Sequence, residues 1–379
     1  MLNFLMSPLA PYVIAGLILL LGIYGWRTRS RHAGVTRTLL AVLGTFGIGL
    51  GALLAIGATV ALLQQARARQ TFPPPGKIVS VGGRSLHVWC EGPKAAPTVL
   101  LVGGGHSQGL WMRPLQMGLS SRWRACLIDR AGLGWSSVGR TPVTLDDELA
   151  QLHDALAAAG EHAAMALVGH SGGGEVAINY AGAYPDEVRA LVLLDPSEPM
   201  FSVVDWRGSG WKVKIEQWWP VFATMFGLAS IDFINPLRRP GMAWLHDVFG
   251  PYWEPGVTWE ARPSSIIEDL SAHEAARSDP FSIVRTPGAL PNQKVLLITQ
   301  IPDPPRPPPG VTGRRAKNYA DLINYARREA LFLAPHSQLI YAPADSSHYF
   351  LYSQPTFTLS RISQFLAVEL PATVPPDAR

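Results

Sequence analysis

The hydrophobic pattern of the chain changes near residue 77, where two long apolar segments give way to short apolar runs. Residues 1–26 and 38–66 contain no charged side chain. Because about 20 apolar residues cross the hydrocarbon core of a bilayer, each segment is long enough to form a transmembrane helix. In the second segment, Gly47 and Gly51 form a small-xxx-small pair that would let two helices pack closely. The pattern therefore predicts two transmembrane helices at the start of the chain.

The distribution of basic residues predicts how these helices cross the membrane. A cleaved signal peptide is disfavoured for the first segment because no Lys or Arg precedes its apolar run. The connector at about residues 27–37 contains four arginines: Arg27, Arg29, Arg31 and Arg37. Basic residues after the second segment favour the opposite orientation: Arg67, Arg69 and Lys77. Since basic connectors tend to face the cytoplasm, we expect residues 1–66 to form a hairpin with the rest of the chain outside.

From residue 77 onward, short runs rich in Val, Leu and Ile predict β-strands separated by helical patterns. The eight predicted strands are KIVSV, SLHVWC, TVLLVG, RACLID, MALVGH, ALVLLD, KVLLIT and QLIYA. The later runs are almost entirely apolar, as in parallel strands covered by helices on both faces. Thr144 and Gly160 fit the start and end of a helix, and Gly82 and Gly83 fit a hairpin turn. The alternation predicts an α/β fold with a mostly parallel, doubly wound sheet opened by an antiparallel hairpin.

A tryptophan-rich block at about residues 200–290 interrupts this alternation. Its tryptophans are Trp206, Trp211, Trp218, Trp219, Trp244, Trp253 and Trp259. We interpret the block as a helical cap inserted over the carboxyl edge of the sheet, where α/β folds bind ligands. Alternatively, these side chains fill a small satellite core. The predicted domain then spans residues 77–369, after a linker at 67–76 and before a flexible tail at 370–379.

The most specific motif is VGHSGGG at residues 168–174, which follows a predicted strand and precedes a helical pattern. Gly-x-Ser-x-Gly in that context predicts a nucleophile elbow with Ser171 at its tip. Gly169 and Gly173 fit because larger side chains two positions from the serine would collide with neighbouring backbone. The N–H of Gly172, at the start of the helix, would face the oxygen on which charge develops.

A serine in an elbow needs a histidine to take its proton and a carboxylate to orient that histidine. His348 follows the last predicted strand and is the candidate base. The acid stays open between two residues, because Asp195 ends ALVLLD and Asp303 follows KVLLIT. Asp345 is less favoured because it lies too close to His348 in the sequence. The remaining histidines near these motifs, His170 and His336, are interpreted as structural.

A second oxyanion donor is expected from the loop LLVGGGHSQG after the third predicted strand. Gly103, Gly104 and Gly105 offer backbone N–H groups that a substrate can approach without interference from a Cβ. Gly105 is the candidate donor. His106 could contact substrate, although a surface position is the simpler interpretation.

Charge and composition narrow the possible partners. The net charge of +4 is mild and the arginines are scattered, so the sequence lacks the basic stripe that is typical of nucleic-acid binding. No Gly-Lys-Ser/Thr follows the glycine-rich turn, so a P-loop is excluded. Neither a metal nor a cofactor is expected.

Four segments of residues 77–369 resemble the α/β-hydrolase fold superfamily: GHSGG, LLVGGG, LIDRAGLGWSS and SSHYFLYSQP. The resemblance implies acyl transfer of the esterase, lipase or peptidase kind without a cofactor, with the insertion acting as a lid. The turn DRAGLGWS, together with Cys90 and Cys126, is similar to a group of bacterial serine hydrolases in which these cysteines would pair. Two buried free thiols are the alternative.

Two departures from the superfamily pattern bear on the site. Gly103 replaces the usual histidine of the oxyanion loop, and QIPDPPRPPP replaces the common Gly-x-x-Asp, which keeps Asp195 open beside Asp303. Serine at the elbow, in place of aspartate, argues against dehalogenase and epoxide hydrolase chemistry. We therefore expect a membrane-anchored serine hydrolase of apolar or lipid-like esters, in a bacterial inner membrane with its domain on the periplasmic side. The alternatives are a proline-specific peptidase, a thioesterase or a non-catalytic ligand-binding membrane protein.

Overall fold

In a computed structural model, the chain divides into two compact units. The first unit comprises Met1–Pro73, Gly210–Trp244 and Val257–Ile267, and the second comprises Pro74–Ser209, Leu245–Gly256 and Glu268–Arg379. The structure describes residues 2–105, 107–139, 144–161, 165–196, 211–231, 235–238, 240–267, 290, 292–300, 312–314, 317, 321, 334 and 336–371.

The first unit begins with a short helix, α1 (Leu2–Leu5), and continues into two long apolar helices, α2 (Ala10–Thr28) and α3 (Gly34–Thr71). By length and composition, Ala10–Arg31 and Gly34–Thr71 could each cross a membrane. Helix α3 continues through the first half of the predicted linker, to Thr71, because residues 67–70, RARQ, are good helix formers and the helix contains no proline.

Glycines bring α2 and α3 together along their length. A Cβ added at Gly22 would lie 2.6 Å from the backbone N of Ile48, and one at Gly47 would lie 3.0 Å from the Cα of Gly22. At Gly51 the added atom would lie 2.8 Å from the backbone N of Leu19. Any larger side chain would push the helices apart, so the small-xxx-small pair is used for helix packing.

The described part of residues 200–290 is helical, as the sequence predicts. It contains α7 (Trp211–Met225), α8 (Trp244–Phe249) and α9 (Trp253–Glu260), joined by short 3₁₀ turns. Its tryptophans are not all buried in a satellite core. Trp253 and Trp259 are buried, whereas Trp218, Trp219 and Trp244 are exposed; Trp206 and the side chain of Trp211 lie outside the described part.

The second unit contains the predicted eight-stranded sheet, in the order β1-β2-β4-β3-β5-β6-β7-β8. The strands are β1 (Lys77–Val81), β2 (Arg84–Glu91), β3 (Thr98–Val102), β4 (Arg124–Asp129), β5 (Met165–His170), β6 (Val188–Leu194), β7 (Lys294–Thr299) and β8 (Ser337–Tyr341). The β1–β2 and β2–β4 pairs are antiparallel and the other pairs are parallel. The carboxyl ends of β3, β5, β6, β7 and β8 therefore meet at one edge.

Helices cover this sheet: α4 (Arg113–Leu119), α5 (Leu145–Ala159), α6 (Gly172–Ala183), α10 (Phe350–Ser353) and α11 (Pro355–Glu369). Every residue of β3 and β5 is buried, which explains their uninterrupted apolar runs. Helix α5 begins as predicted, because Thr144 and Asp147 form a capping box. It ends at Gly160, whose φ of 78° is left-handed.

Cys90 and Cys126 form a disulfide between the antiparallel strands β2 and β4. The two residues lie directly opposite each other in the register, with their Cα atoms 4.0 Å apart. The bond therefore links the edge hairpin to the parallel core of the sheet.

Candidate active site

Ser171 occupies the turn between β5 and α6 with a φ of 53° and a ψ of −125°. This backbone conformation is rare for residues other than glycine, and it turns the chain sharply from strand to helix. Neighbouring backbone fills the space around the turn. A Cβ added at Gly169 would lie 2.3 Å from the carbonyl oxygen of Gly173, and one at Gly173 would lie 2.2 Å from that of Val102. The motif therefore has glycines where no side chain fits.

The loop after β8 brings His348 to the end of β6. Its Nδ1 lies 2.7 Å from Oδ2 of Asp195, within range of a charge-assisted hydrogen bond. Asp195 follows directly after β6, is buried, and has a φ of 42°. Among the described residues other than glycine, Ser171 and Asp195 are the two with a positive φ. Such strain, of order 1–3 kcal/mol, persists only where surrounding contacts hold it.

Several contacts hold the Asp195 carboxylate. Thr299, at the end of β7, donates from Oγ1 to Oδ1 at 2.7 Å, and the backbone N–H of Gln300 donates to the same oxygen at 3.4 Å. Burial raises the pKa of Asp195, but the hydrogen bond and positive charge of His348, with the bond from Thr299, lower it below its usual value. The group is therefore a carboxylate near neutral pH.

Of the three acids considered from the sequence, Asp195 is the one that the described structure brings to His348. Asp345 is exposed. Asp303 lies outside the described residues, as does His106 of the oxyanion loop. His336 is exposed.

His170, between β5 and Ser171, is buried against the histidine loop. Its Nε2 lies 3.0 Å from the backbone carbonyl oxygen of His348, and the two rings lie 4.7 Å apart. Burial, followed by the nearby charge of His348, lowers the pKa of His170 to about 4. A neutral imidazole can donate from Nε2 to that carbonyl. Sequence reasoning did not connect His170 with His348, although its position beside the serine was a usable signal.

The glycine loop after β3 lies against the elbow. A Cβ added at Gly104 would lie 3.2 Å from Oγ of Ser171, and one at Gly172 would lie 3.0 Å from the backbone N of Gly105. The N–H groups of the two predicted oxyanion donors are thus near neighbours. Arg130 donates to the carbonyl of Gly105 and forms an ion pair with Glu148, N to O 2.7 Å.

Asp129 organises the turn DRAGLGWS, a role that the sequence did not reveal. Its carboxylate accepts the backbone N–H groups of Gly109 at 2.8 Å and Trp135 at 2.9 Å, and it lies 2.8 Å from Nδ1 of His87. Burial opposes both charges, yet the pairing lowers the pKa of Asp129 and raises that of His87. This buried pair supports the segment that follows the oxyanion loop.

An aromatic cluster, formed by Trp111, Phe249, Trp253 and Tyr352, lies between the segment after the oxyanion loop and helix α10. The ring centroids of Trp111 and Phe249 lie 4.7 Å apart, and those of Phe249 and Tyr352 lie 5.3 Å apart. Gln108 donates to the carbonyl of Gly256 at 2.6 Å, which joins part of the insertion to this loop. The four side chains are buried, so an apolar core adjoins the segment after the oxyanion loop.

A metal centre does not fit the group of potential ligands at Cys90, Cys126 and Glu161. The two sulfurs are joined in the disulfide, and Glu161 forms an ion pair with Arg124 at 2.7 Å. Metal binding by cysteine requires a thiolate.

Residues 97–242 match the sequence family of the alpha/beta hydrolase fold. The chain has the α/β-hydrolase fold. Solved structures agree: the enol-lactonase from Burkholderia xenovorans LB400 aligns with a TM-score of 0.55 and 16% identity, over 77% of this chain and 100% of that one. At such low identity the likeness shows the fold alone.

The relatives in sequence include lipases. Lipase LipV of Mycobacterium tuberculosis is 36% identical over 132 residues, which are 32% of this chain and 38% of that protein. The (lyso)-N-acylphosphatidylethanolamine lipase of Bos taurus is 35% identical over 103 residues, 26% of this chain and 30% of that protein. The matched region thus spans about a third of the length of these curated relatives.

Proposed function

We propose that the protein is a membrane-anchored serine hydrolase that cleaves carboxylic esters with apolar acyl or lipid-like groups. The contact between His348 and Asp195 carries the proposal, because a serine nucleophile needs a histidine paired with a carboxylate, and this pair lies at the sheet edge that holds the elbow. The elbow geometry of Ser171 is the second support.

The proposed reaction is a two-step acyl transfer. Oγ of Ser171 attacks the ester carbonyl while Nε2 of His348 takes the hydroxyl proton, and Asp195 stabilises the imidazolium through Nδ1–H. The N–H groups of Gly105 and Gly172 hold the developing oxyanion. His348 then gives its proton to the leaving alcohol. Water, deprotonated by His348, then attacks the acyl-enzyme, and His348 returns that proton to Oγ of Ser171 as the acid is released.

An apolar acyl group is the substrate feature that we favour. The buried aromatic cluster makes the surroundings of the segment after the oxyanion loop apolar, and apolar surroundings favour acyl chains through burial of apolar area. The lipase relatives support the same substrate class. Peptidase and thioesterase chemistry would use the same residues, and a panel of substrates separates them.

Membrane anchoring through α2 and α3 is the second part of the proposal. Their length, apolar composition and close glycine packing are typical of membrane hairpins. The basic connector favours a cytoplasmic turn, which would place the second unit on the periplasmic side of a bacterial inner membrane. The disulfide supports that side, because disulfides persist in oxidising compartments.

Labelling with a fluorophosphonate probe tests the hydrolase proposal directly. The full chain in detergent should be labelled, and Ser171→Ala should abolish labelling while Ser360→Ala, at an exposed serine of α11, should not. Esters of increasing acyl length then test the substrate class, with kcat/KM expected to rise from short to medium chains. A folded protein that does not react would favour the non-catalytic binding protein instead.

A further inference from the structure

Helix α7 of the first unit exposes a continuous apolar face. Ile215, Trp218, Trp219 and Phe222 are 56%, 36%, 48% and 36% exposed, respectively. They occupy positions i, i+3, i+4 and i+7, so they lie on one side of the helix. We name them the α7 apolar face. Large exposed apolar patches are rare on soluble proteins and mark surfaces that contact a partner or a membrane.

The carboxyl-terminal end of this helix and the residue that follows it are well packed, so poor folding does not explain the exposure. Val221, Met225 and Phe226 are 2%, 5% and 2% exposed. The rings of Trp219 and Phe222 lie 5.8 Å apart, and those of Phe222 and Phe226 lie 4.8 Å apart. The exposed face is therefore fixed to a buried anchor at Phe226.

That anchor lies directly against helix α3, within the same unit. A Cβ added at Gly57 would lie 2.5 Å from the carbonyl oxygen of Phe226, and one at Gly227 would lie 2.9 Å from the carbonyl oxygen of Gly57. Helix α3 itself exposes apolar side chains on either side of this contact: Leu53, Ile56, Val60 and Leu63. The α7 apolar face therefore belongs to the same structural unit as a surface suited to lipid.

Polar and basic groups appear on α3 directly beyond its apolar segment. Arg67 and Arg238 line a cavity of about 350 Å³ together with Gln64 and Asn235. Arginines at the end of an apolar span stay near anionic headgroups. Gly57 lies 20 residues after Arg37 of the basic connector, about 30 Å along α3, which matches the thickness of a hydrocarbon core, so in the proposed membrane Phe226 would lie at the depth of the boundary between hydrocarbon and headgroups.

We propose that the α7 apolar face inserts into the lipid surface of the membrane that α3 crosses, with the helix lying in the interface. Tryptophan suits this position because its ring is apolar and its N–H is polar. The proposal rests on the proposed membrane anchoring. Its partner is a phospholipid bilayer surface; a second copy of the chain is an alternative that the experiment below separates from it.

Nitroxide labelling of the full chain in phospholipid nanodiscs tests this inference without using enzyme activity. Ile215→Cys and Trp219→Cys place labels on the α7 apolar face. Leu53→Cys reports the lipid-facing side of α3, and Ser360→Cys is the water-exposed control. Labelling without reductant keeps the native disulfide closed. Two positions on α7 protect the test against failure of one variant to fold, which thermal unfolding of each labelled protein would reveal.

Accessibility to oxygen and to a water-soluble nickel chelate separates the outcomes. A label in lipid collides readily with oxygen and poorly with the chelate, so labels at 215 and 219 should resemble that at 53. Accessibility of the labels at 215 and 219 to both reagents, as expected at 360, would overturn the inference. Accessibility to neither reagent would also overturn it, because it would indicate that another protein surface covers the helix. If the label at 53 also reports water, the proposed anchoring fails as well.

Discussion

Thr299 and His348 hold opposite oxygens of the Asp195 carboxylate, each at 2.7 Å. Thr299 ends β7, the strand that pairs with β6, so a residue of the neighbouring strand holds the carboxylate oxygen that does not contact His348. In the described structure, Oδ2 contacts His348, whereas Oδ1 accepts from Thr299 and Gln300. The carboxylate is thus fixed in position and orientation before any substrate arrives, which is the condition for selecting one tautomer of the histidine.

Asp195→Asn should leave the fold intact and reduce kcat by about 10³–10⁴-fold, because an amide no longer stabilises the required tautomer and the imidazolium. Steady-state hydrolysis of a soluble ester and the rate of fluorophosphonate labelling would measure this loss. Asp303→Asn is the matched control, since it makes the same chemical change at the other candidate acid. A large loss in the control and a small one at Asp195 would contradict the assignment.

Thr299→Val should weaken catalysis selectively at acidic pH. A hydrogen bond to an ionised carboxylate lowers its pKa, so removal of the Thr299 hydroxyl should raise the pKa of Asp195. The acid limb of the kcat/KM profile should then move to higher pH, with a loss of about tenfold or less at neutral pH. Thr299→Ser retains the hydroxyl and should restore the wild-type profile. Equal profiles for the two variants would show that the hydroxyl has no such role.

The strands and the elbow could be predicted from the sequence because each depends on local pattern. An apolar run of five to seven residues with glycine or aspartate at its end carries its own signal. The fold class and the helical character of the insertion followed from the order of such signals. The capping box at Thr144 was equally local.

The choice of acid could not be made from the sequence, because Asp195 and Asp303 both follow strands whose ends meet at one edge. Spacing does not reveal that Asp195 has a positive φ or that Thr299 supports it. The contact of His170 with the His348 carbonyl joins residues 178 positions apart, and it depends on tertiary structure. The pairing of Cys90 and Cys126 likewise depends on the register of β2 against β4.

His170 predicts how stability depends on pH. Its folded pKa of about 4 lies below the ordinary 6.5, so the unfolded chain takes up a proton first as the pH falls. Its contribution is complete above pH 6.5 and is lost between pH 6.5 and 4, in total about 3 kcal/mol. His170→Gln can donate to the same carbonyl without titrating in this range.

Urea unfolding from pH 7 to pH 4 would measure this effect, with His170→Gln losing less stability than the wild type. His336→Gln, at an exposed position, controls for the removal of a histidine. Parallel losses in the wild type and His170→Gln would show that burial of His170 does not govern acid sensitivity.

Gly104→Ala tests how closely the glycine loop approaches the serine. The added methyl would lie 2.6 Å from Cβ and 3.2 Å from Oγ of Ser171, so the loop or the serine must move. Fluorophosphonate labelling should fall by about 10²-fold or more, because a small displacement of reacting groups is costly. Gly49→Ala, where an added Cβ meets nothing within 4 Å, should label normally. Normal labelling of Gly104→Ala would mean that the loop lies farther from the serine.

The disulfide should account for a substantial part of the stability of the second unit. Cys90 and Cys126 are separated by 36 residues, so in the chain-entropy model their bond stabilises the folded state by about 4 kcal/mol. Reduction of the full chain in detergent should therefore lower the thermal midpoint by several degrees. The variant carrying both Cys90→Ala and Cys126→Ala should start lower and be insensitive to reductant. Thiol titration must show complete reduction of the wild type, since an unchanged midpoint after that reduction would contradict a stabilising role for the bond.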